Sequence, residues 1–296
     1  MIRLAVRVRR AQAEFVLAEL LELAPSGVEE ALVDEHTVEY AVYGAPGELP
    51  DLPDLKAAAG EALVDISTSE TADDWHERWR QFHRPVLVEP SSRWPASASP
   101  VPALHVRPPW EPASTREDVE EIVIDPAQAF GTGGHATTRL CLQMLLELAG
   151  GERGRGPLLD VGTGSGVLAI AAARLGFAPV LALDHDPLSV DAARVNAAVN
   201  EVRIELRRMD LRNDELPWLG ACDAPAGEIV LLANLLAPLL LNLAATIAKP
   251  PAQMIASGLL REQVDEIVRT FGERHGLRER TRSAEGEWAA VWLVAR

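Results

Sequence analysis

Hydrophobic and polar positions divide this chain into two patterns. In the first 70 residues the period changes every few positions. Ile2–Val8 alternates apolar and polar side chains, as a half-buried strand does. Ala13–Leu23 carries Phe15, Val16, Leu20 and Leu23 at helical spacing. Val28–Val33 and Thr37–Tyr43 read as strands, Leu52–Ala62 as a helix and Leu63–Ile66 as a last strand. The order β-α-β-β-α-β is that of a small split, ferredoxin-like α+β module. From about Val119 strands alternate with helices, the signature of a mostly parallel sheet. Strands are predicted at 119–124, 157–161, 180–184, 202–208, 227–233 and 252–257. The tail reads as an antiparallel pair, Arg278–Arg282 and Ala289–Ala295, around Ala284-Glu285-Gly286-Glu287.

Between these regions the pattern loosens. Trp75–His83 is predicted to be helical and aromatic. Pro90–Pro100, rich in Pro, Ser and Ala, suits a surface loop, and Leu104–Val106 a short strand. The expected organisation is therefore a recognition module over 1–70, a linker over 71–118 and an α/β domain over 119–296.

With 48% hydrophobic residues in 296, a sizeable core is expected and global disorder is not. The formal charge is −16, which argues against direct nucleic-acid contact, since that needs a basic face. Residues 1–70 alone hold 14 acids against five bases, so this module suits a basic protein partner as well as simple solubility. The two cysteines, Cys141 and Cys222, form no CxxC pattern and have no accompanying His cluster, so no metal site is expected. The N-terminus lacks the apolar core of a signal peptide. The longest apolar run, Ile229–Leu241, is broken by Asn234 and Pro238, so no membrane span is expected. The expectation is a soluble cytoplasmic protein.

The richest chemistry lies at Leu158-Leu159-Asp160-Val161-Gly162-Thr163-Gly164-Ser165-Gly166, followed by Val167–Ala173. This reads as a buried strand, a glycine turn and a helix start. A second strand ends in Asp184, 24 residues after Asp160, where a carboxylate can accept from both ribose hydroxyls. The spacing is GxGxG rather than the GxGxxG of pyrophosphate binders, and an acid precedes it. S-adenosylmethionine, which carries an ammonium and no phosphate, fits better than NAD. The plainer reading is a structural glycine turn; Asp184 tips the balance toward a ligand.

Two further stretches stand out. Ile124–Thr138 crowds glycines, threonines and His135 ahead of a helix near Arg139. Thr137 or Thr138 could simply cap that helix, or the segment could fold over a cofactor; His135 has no evident carboxylate partner for a role as base. Gly227–Pro238 is a long apolar strand ending in Asn234, whose amide can accept from an amine and donate elsewhere. The plainer reading of Asn234 is a helix cap. Asp186 and Pro187 read as the cap and first residue of the next helix, and Trp288 as packing.

Together these stretches resemble the PrmA family, the bacterial methyltransferases of ribosomal protein L-eleven (L11). Asp125-Pro126…Ala129-Phe130-Gly131-Thr132-Gly133-Gly134-His135-Ala136-Thr137-Thr138 resembles the family's D-P-x-x-A-F-G-T-G-x-H-x-T-T signature, and Asp160–Ala171 its cofactor loop. Ala233-Asn234-Leu235-Leu236-Ala237-Pro238-Leu239, Ser257-Gly258-Leu259-Leu260 with Gln263, and Glu287-Trp288 are also similar to it. The resemblance covers about 119–296 closely and the N-terminal module more loosely; Ser91–Val101 looks like an insertion. It implies a seven-stranded, Rossmann-like S-adenosylmethionine-dependent methyltransferase domain behind a small ferredoxin-like domain. It implies Thr138, Gly162, Gly164, Asp184 and Asn234 at the cofactor, with Asn234 also catalytic and no metal. The implied reaction is methylation of lysine and N-terminal amines of L11 by a monomer. A related branch methylates lysines of an electron-transfer flavoprotein, which is the alternative substrate.

Overall fold

A computed structural model of the chain describes residues 2–13, 16–17, 20, 23, 28–34, 36–44, 49–50, 52–70, 83–90, 100–126, 133–151, 155–214, 216–219 and 228–295. The predicted helix at 75–83 (His83 excepted), most of the Pro/Ser/Ala segment, Phe15, Cys222 and residues 127–132 lie outside the described residues. The chain forms two compact units, Met1–Phe82 and His83–Arg296.

The first unit is built on a four-stranded antiparallel sheet of order β2-β3-β1-β4, from β1 (Ile2–Arg9), β2 (Glu29–Leu32), β3 (Thr37–Gly44) and β4 (Leu63–Glu70). That order, with helical residues between β1 and β2 and helix α1 (Leu52–Ala59) between β3 and β4, is the split arrangement the sequence pattern predicts. The period of two sorts β1. Leu4, Val6 and Val8 enter a core with Val16, Leu20 and Leu55, each such burial worth about 1.5–3 kcal/mol. Arg3 and Arg7 take the other face, where each lies 2.6 Å from a Glu39 carboxylate oxygen. Arg3 first and Arg7 second hold the Glu39 pKa below the ordinary glutamate value, against the burial that would raise it.

The second unit carries a seven-stranded sheet of order β10-β9-β8-β11-β12-β14-β13. Its strands are β8 (Leu158–Val161), β9 (Val180–Asp184), β10 (Glu205–Arg208), β11 (Val230–Asn234), β12 (Gln253–Leu260), β13 (Leu277–Glu285) and β14 (Trp288–Ala295). The first five in chain order run parallel, and β14 lies antiparallel between β12 and β13. Both faces are covered, so the central strands are apolar throughout. Leu158, Ala182, Leu232 and Ile255 bury toward helices α2 (Ala136–Ala149) and α3 (Val167–Arg174). Leu159, Leu181, Leu231 and Met254 bury toward α5 (Ala237–Thr246) and α6 (Val264–His275). Helix α4 (Pro187–Val199) joins β9 to β10.

The strand predicted at 119–124 does not enter this sheet. As β7 (Val119–Val123) it pairs in parallel with β6 (Ala103–Arg107), which pairs antiparallel with β5 (Val86–Val88). The cause is its apolar side. Ile122, with Leu104 and Val106 of β6, buries into the cluster formed by α2 and α3, so this small sheet covers the helices rather than extending the strands.

The strand order of the main sheet reverses between β8 and β11. In open α/β sheets the crevice beyond the carboxyl ends of the strands at such a switch point is where ligands bind. Asn234 ends β11, and the glycine turn follows directly from β8.

Candidate functional site

The glycine turn needs its glycines. Gly162, Gly164 and Gly166 have φ of 75°, 53° and 84°, the left-handed region that costs an L side chain about 1–2 kcal/mol. The turn is stitched to the next strand: Gly162 and Thr163 N–H both donate to Leu183 C=O at 2.9 Å. It closes on Asp184, whose Oδ2 accepts from Gly164 N–H at 2.9 Å while Oδ1 accepts from Asp186 N–H at 3.1 Å. Those two bonds fix the carboxylate at the strand end, nine-tenths buried, with its remaining lone pairs turned to the crevice. Asp186 caps α4 through Leu188 and Ser189 N–H, with Pro187 at the first position, as predicted. His185, exposed on the rim, has Nδ1 3.3 Å from Asp184 Oδ1.

Beneath the turn lies Asp160, fully buried. Thr163 Oγ1 donates to its Oδ2 at 2.7 Å, and its Oδ1 has no hydrogen-bond partner of standard geometry. Burial pushes its pKa up to about 7; the Thr163 hydroxyl and the Ala169 amide pull it down, and the Asp184 charge pushes it further up. Among the described residues no lysine or arginine is bonded to Asp160 or Asp184. Two carboxyls around a glycine turn repel a phosphate and suit a cationic ligand.

The other wall comes from the start of α2. His135, not Thr137 or Thr138, caps this helix, so the plainer of the two readings left open for the threonines does not hold. Its Nδ1 accepts from Thr137 N–H at 3.3 Å and lies 2.8 Å from Thr137 Oγ1. Imidazole nitrogen can do what a hydroxyl oxygen does at this position, provided it is unprotonated. Burial, then the nearby Arg139 charge, lowers the His135 pKa and favours that form. The ring also packs edge-on against Trp288, centroids 5.0 Å apart, while Arg139 pairs with Glu285. The cap so made frees Thr138, which is fully buried with Oγ1 3.5 Å from Asn234 Nδ2. Asn234 is not a cap: α5 begins after Leu236, which makes no side-chain cap bond. Its amide is therefore held at the strand end and aimed across the crevice toward α2.

The structure thus brings Asp184, Gly162 and Gly164 together on one side of the switch point, and Asn234 with Thr138 on the other. Three groups escaped sequence reasoning. Ser257 Oγ lies 3.2 Å from Thr137 C=O and 3.3 Å from Ala289 C=O, tying the start of α2 to β12 and β14. Asn196 on α4 and Asn200 at its C-cap bond to the end of β7 and the residue just beyond it, and Asn196 also to the turn. The only sequence signal for the asparagines is a polar residue recurring at helical spacing on an otherwise apolar face.

The fold is the seven-stranded, Rossmann-like fold of the S-adenosylmethionine-dependent methyltransferase class. Within it, the chain belongs to the family described as ribosomal protein L11 methyltransferase (PrmA), whose model matches residues 22–296. A ribosomal protein L11 methyltransferase of Heliobacterium modesticaldum is 38% identical over 224 residues, 74% of this chain and 63% of that protein. One from Geobacter sulfurreducens is 38% identical over 245 residues, 81% of this chain and 73% of that protein. The matched stretch thus spans a little under or over two thirds of these relatives. A crystal structure of a ribosomal protein L11 methylase from Lactobacillus delbrueckii subsp. bulgaricus superposes with a TM-score of 0.54 at 28% identity, covering 71% of this chain and 98% of that one.

Proposed function

We propose that the chain transfers methyl groups from S-adenosylmethionine to lysine side-chain and N-terminal amines of ribosomal protein L11. The observation that carries this reading is the convergence, at one sheet switch point in a PrmA-family chain, of an Asp184-anchored glycine turn with the Asn234–Thr138 pair. The electron-transfer flavoprotein is not favoured, because the family match and the relatives' names point to L11.

The residues fit the cofactor. Asp184 would hold the ribose hydroxyls, the amides of Gly162 and Gly164 its amino-acid end, and Thr138 and Asn234 the side facing the acceptor. Bound there, S-adenosylmethionine supplies a methyl group already activated by its sulfonium. The protein's part is alignment and exclusion of water, and alignment alone can be worth roughly 7–11 kcal/mol of barrier. A lysine amine, reference pKa about 10.4, must arrive unprotonated, and an apolar surround favours that form. Asn234 Oδ1 accepts from the amine N–H and orients its lone pair. No dedicated general base is required, and His135, engaged as a helix cap, is not assigned one.

In this reading residues 1–70 recognise the protein substrate and 119–296 carry out the transfer, while of the predicted linker 71–118 the strands β5 and β6 belong to the second unit. The acidic first module suits a basic ribosomal protein by long-range attraction. Among the described residues no helix is long and apolar enough to cross a membrane. A ribosomal substrate suits the cytoplasm, the net charge of −16 argues against direct nucleic-acid contact, and the chain is proposed to act as a monomer. The test is mass spectrometry of L11 after incubation with the chain and S-adenosylmethionine. Mass gains in steps of one methyl group, absent with Asp184→Ala, support the reading. No gain despite calorimetric binding of the cofactor moves the substrate elsewhere.

A further inference from the structure

Helix α4 carries one buried asparagine, Asn196, and a second buried one, Asn200, caps its C-terminal end. Asparagine is a poor helix residue, and a buried carboxamide is costly unless both ends are bonded. Here both ends are used, differently in the two residues. Asn200 Oδ1 accepts from Val123 N–H at 2.8 Å, and its Nδ2 donates to Val123 C=O at 2.7 Å, so it grips one residue of β7. Asn196 Oδ1 accepts from Asp125 N–H at 3.0 Å, just beyond β7, but its Nδ2 donates to Ser165 C=O at 2.9 Å, inside the glycine turn. One turn earlier, Ala193 abuts the same turn so closely that a Cβ on Gly166 would lie 3.1 Å from its own.

We propose that Asn196 is a positioning residue for the cofactor turn: its carboxamide ties Ser165 to Asp125, so one side chain sets the glycine turn against the segment that leads to Thr138. Asn200 holds β7 and the last turn of α4, through the Asn196 carbonyl at 2.8 Å, and makes no bond to the glycine turn. The proposal rests on the reading of the turn as the S-adenosylmethionine site.

The experiment is calorimetric titration of the full chain with S-adenosylhomocysteine, alongside thermal melting. Asn196→Asp keeps the acceptor for Asp125 N–H but sets a carboxylate oxygen against Ser165 C=O. The expected result is a Kd weaker by about tenfold, from one lost bond and one repelled carbonyl. Lowering the pH toward 5 should narrow that gap, because a protonated carboxyl can again donate to Ser165; the wild-type Kd should not follow this trend. Asn200→Asp should lower the Tm comparably yet leave the Kd within about twofold, since its bonds end on β7 and on the Asn196 backbone carbonyl, and none reaches the glycine turn. An unchanged Kd in Asn196→Asp, or equal weakening in both variants, overturns the proposal and leaves Asn196 a purely structural residue. If Asn196→Asp does not fold, Asn196→Ser, too short for either bond, should show the same weakening without the pH dependence. Failure of the wild type to bind S-adenosylhomocysteine would sink the reading of the site itself, a result distinct from unchanged binding in the variant.

Discussion

Gly258→Ala tests how the transfer edge of the sheet is built. Gly258 lies in β12 at a φ of 83°, where the pairing of β12 with β14 shifts register. A Cβ there would sit 2.5 Å from Leu235 O and 2.7 Å from Leu235 C, both backbone atoms of the residue after Asn234. Backbone cannot swing aside as a side-chain tip can. The left-handed conformation costs roughly 1–2 kcal/mol and the overpacking about 1–3 more. For a unit of this size each kcal/mol is worth about 2–4 °C, so the Tm should fall on the order of 10 °C. Gly276→Ala is the control. It has φ of 68° but nothing within 4 Å of the added carbon, and should lose only about 2–8 °C. Melting of both variants by circular dichroism gives the difference, and methyl transfer to L11 gives the functional cost. Gly258→Ala should also lose most turnover, because relief of the clash displaces Leu235 and with it Asn234. Equal Tm losses in the two variants, with full turnover in Gly258→Ala, would refute the argument that close backbone approach demands this glycine.

Asp184→Ala removes the acceptor of the Gly164 and Asp186 amides as well as the ribose contacts, so calorimetry should show cofactor binding weakened by about 100-fold or more. Asn234→Ala should reduce turnover on L11 far more than it weakens cofactor binding; comparable turnover to wild type would remove Asn234 from the transfer step. Asp160 titrates near 7 when folded and near 4 when unfolded, so its burial penalises the folded state increasingly as pH rises from about 4 to 7. Urea unfolding should therefore show Asp160→Asn gaining stability over wild type at pH 8 relative to pH 5, and a gap that does not grow with pH would contradict the assignment. Cys141, fully buried with its thiol pushed up to about 12 chiefly by burial, should resist alkylation at pH 8 in the folded chain, as peptide mapping would show.

What the sequence made legible was what is local. The glycine turn is read from Gly162, Gly164 and Gly166 because left-handed backbone leaves a residue-type signature. The Asp186–Pro187 helix start is equally local, and so is the split β-α-β-β-α-β order of the first unit. The small sheet was harder. β5 is only three residues long, and β7 carries apolar residues that would serve in either sheet, so its partner is decided by burial against α2 and α3 rather than by its own pattern. The cap on α2 was not legible for a chemical reason. Two threonines are the stronger statistical caps, yet a histidine kept neutral by burial and by Arg139 does the same work.

That substitution of cap has a consequence for the site. Had Thr138 capped α2, its hydroxyl would be spent on the helix's own amides and could not reach Asn234. Because His135 takes that duty one turn earlier, Thr138 stands at the third helical position with Oγ1 facing Asn234 across the crevice. Ser257 binds Thr137 C=O on the next residue, so the first turn of α2 is held from the sheet side as well as from its cap. Asn234 and Thr138 are 96 residues apart in the chain, and neither is unusual alone. Their meeting depends on the order β8-β11-β12, on the cap, and on the Ser257 anchor, all long-range facts. The half of the site around the glycine turn is thus written in two local motifs, the turn itself and the Asp184 strand end, whereas the half that would orient the amine exists only once the sheet is assembled.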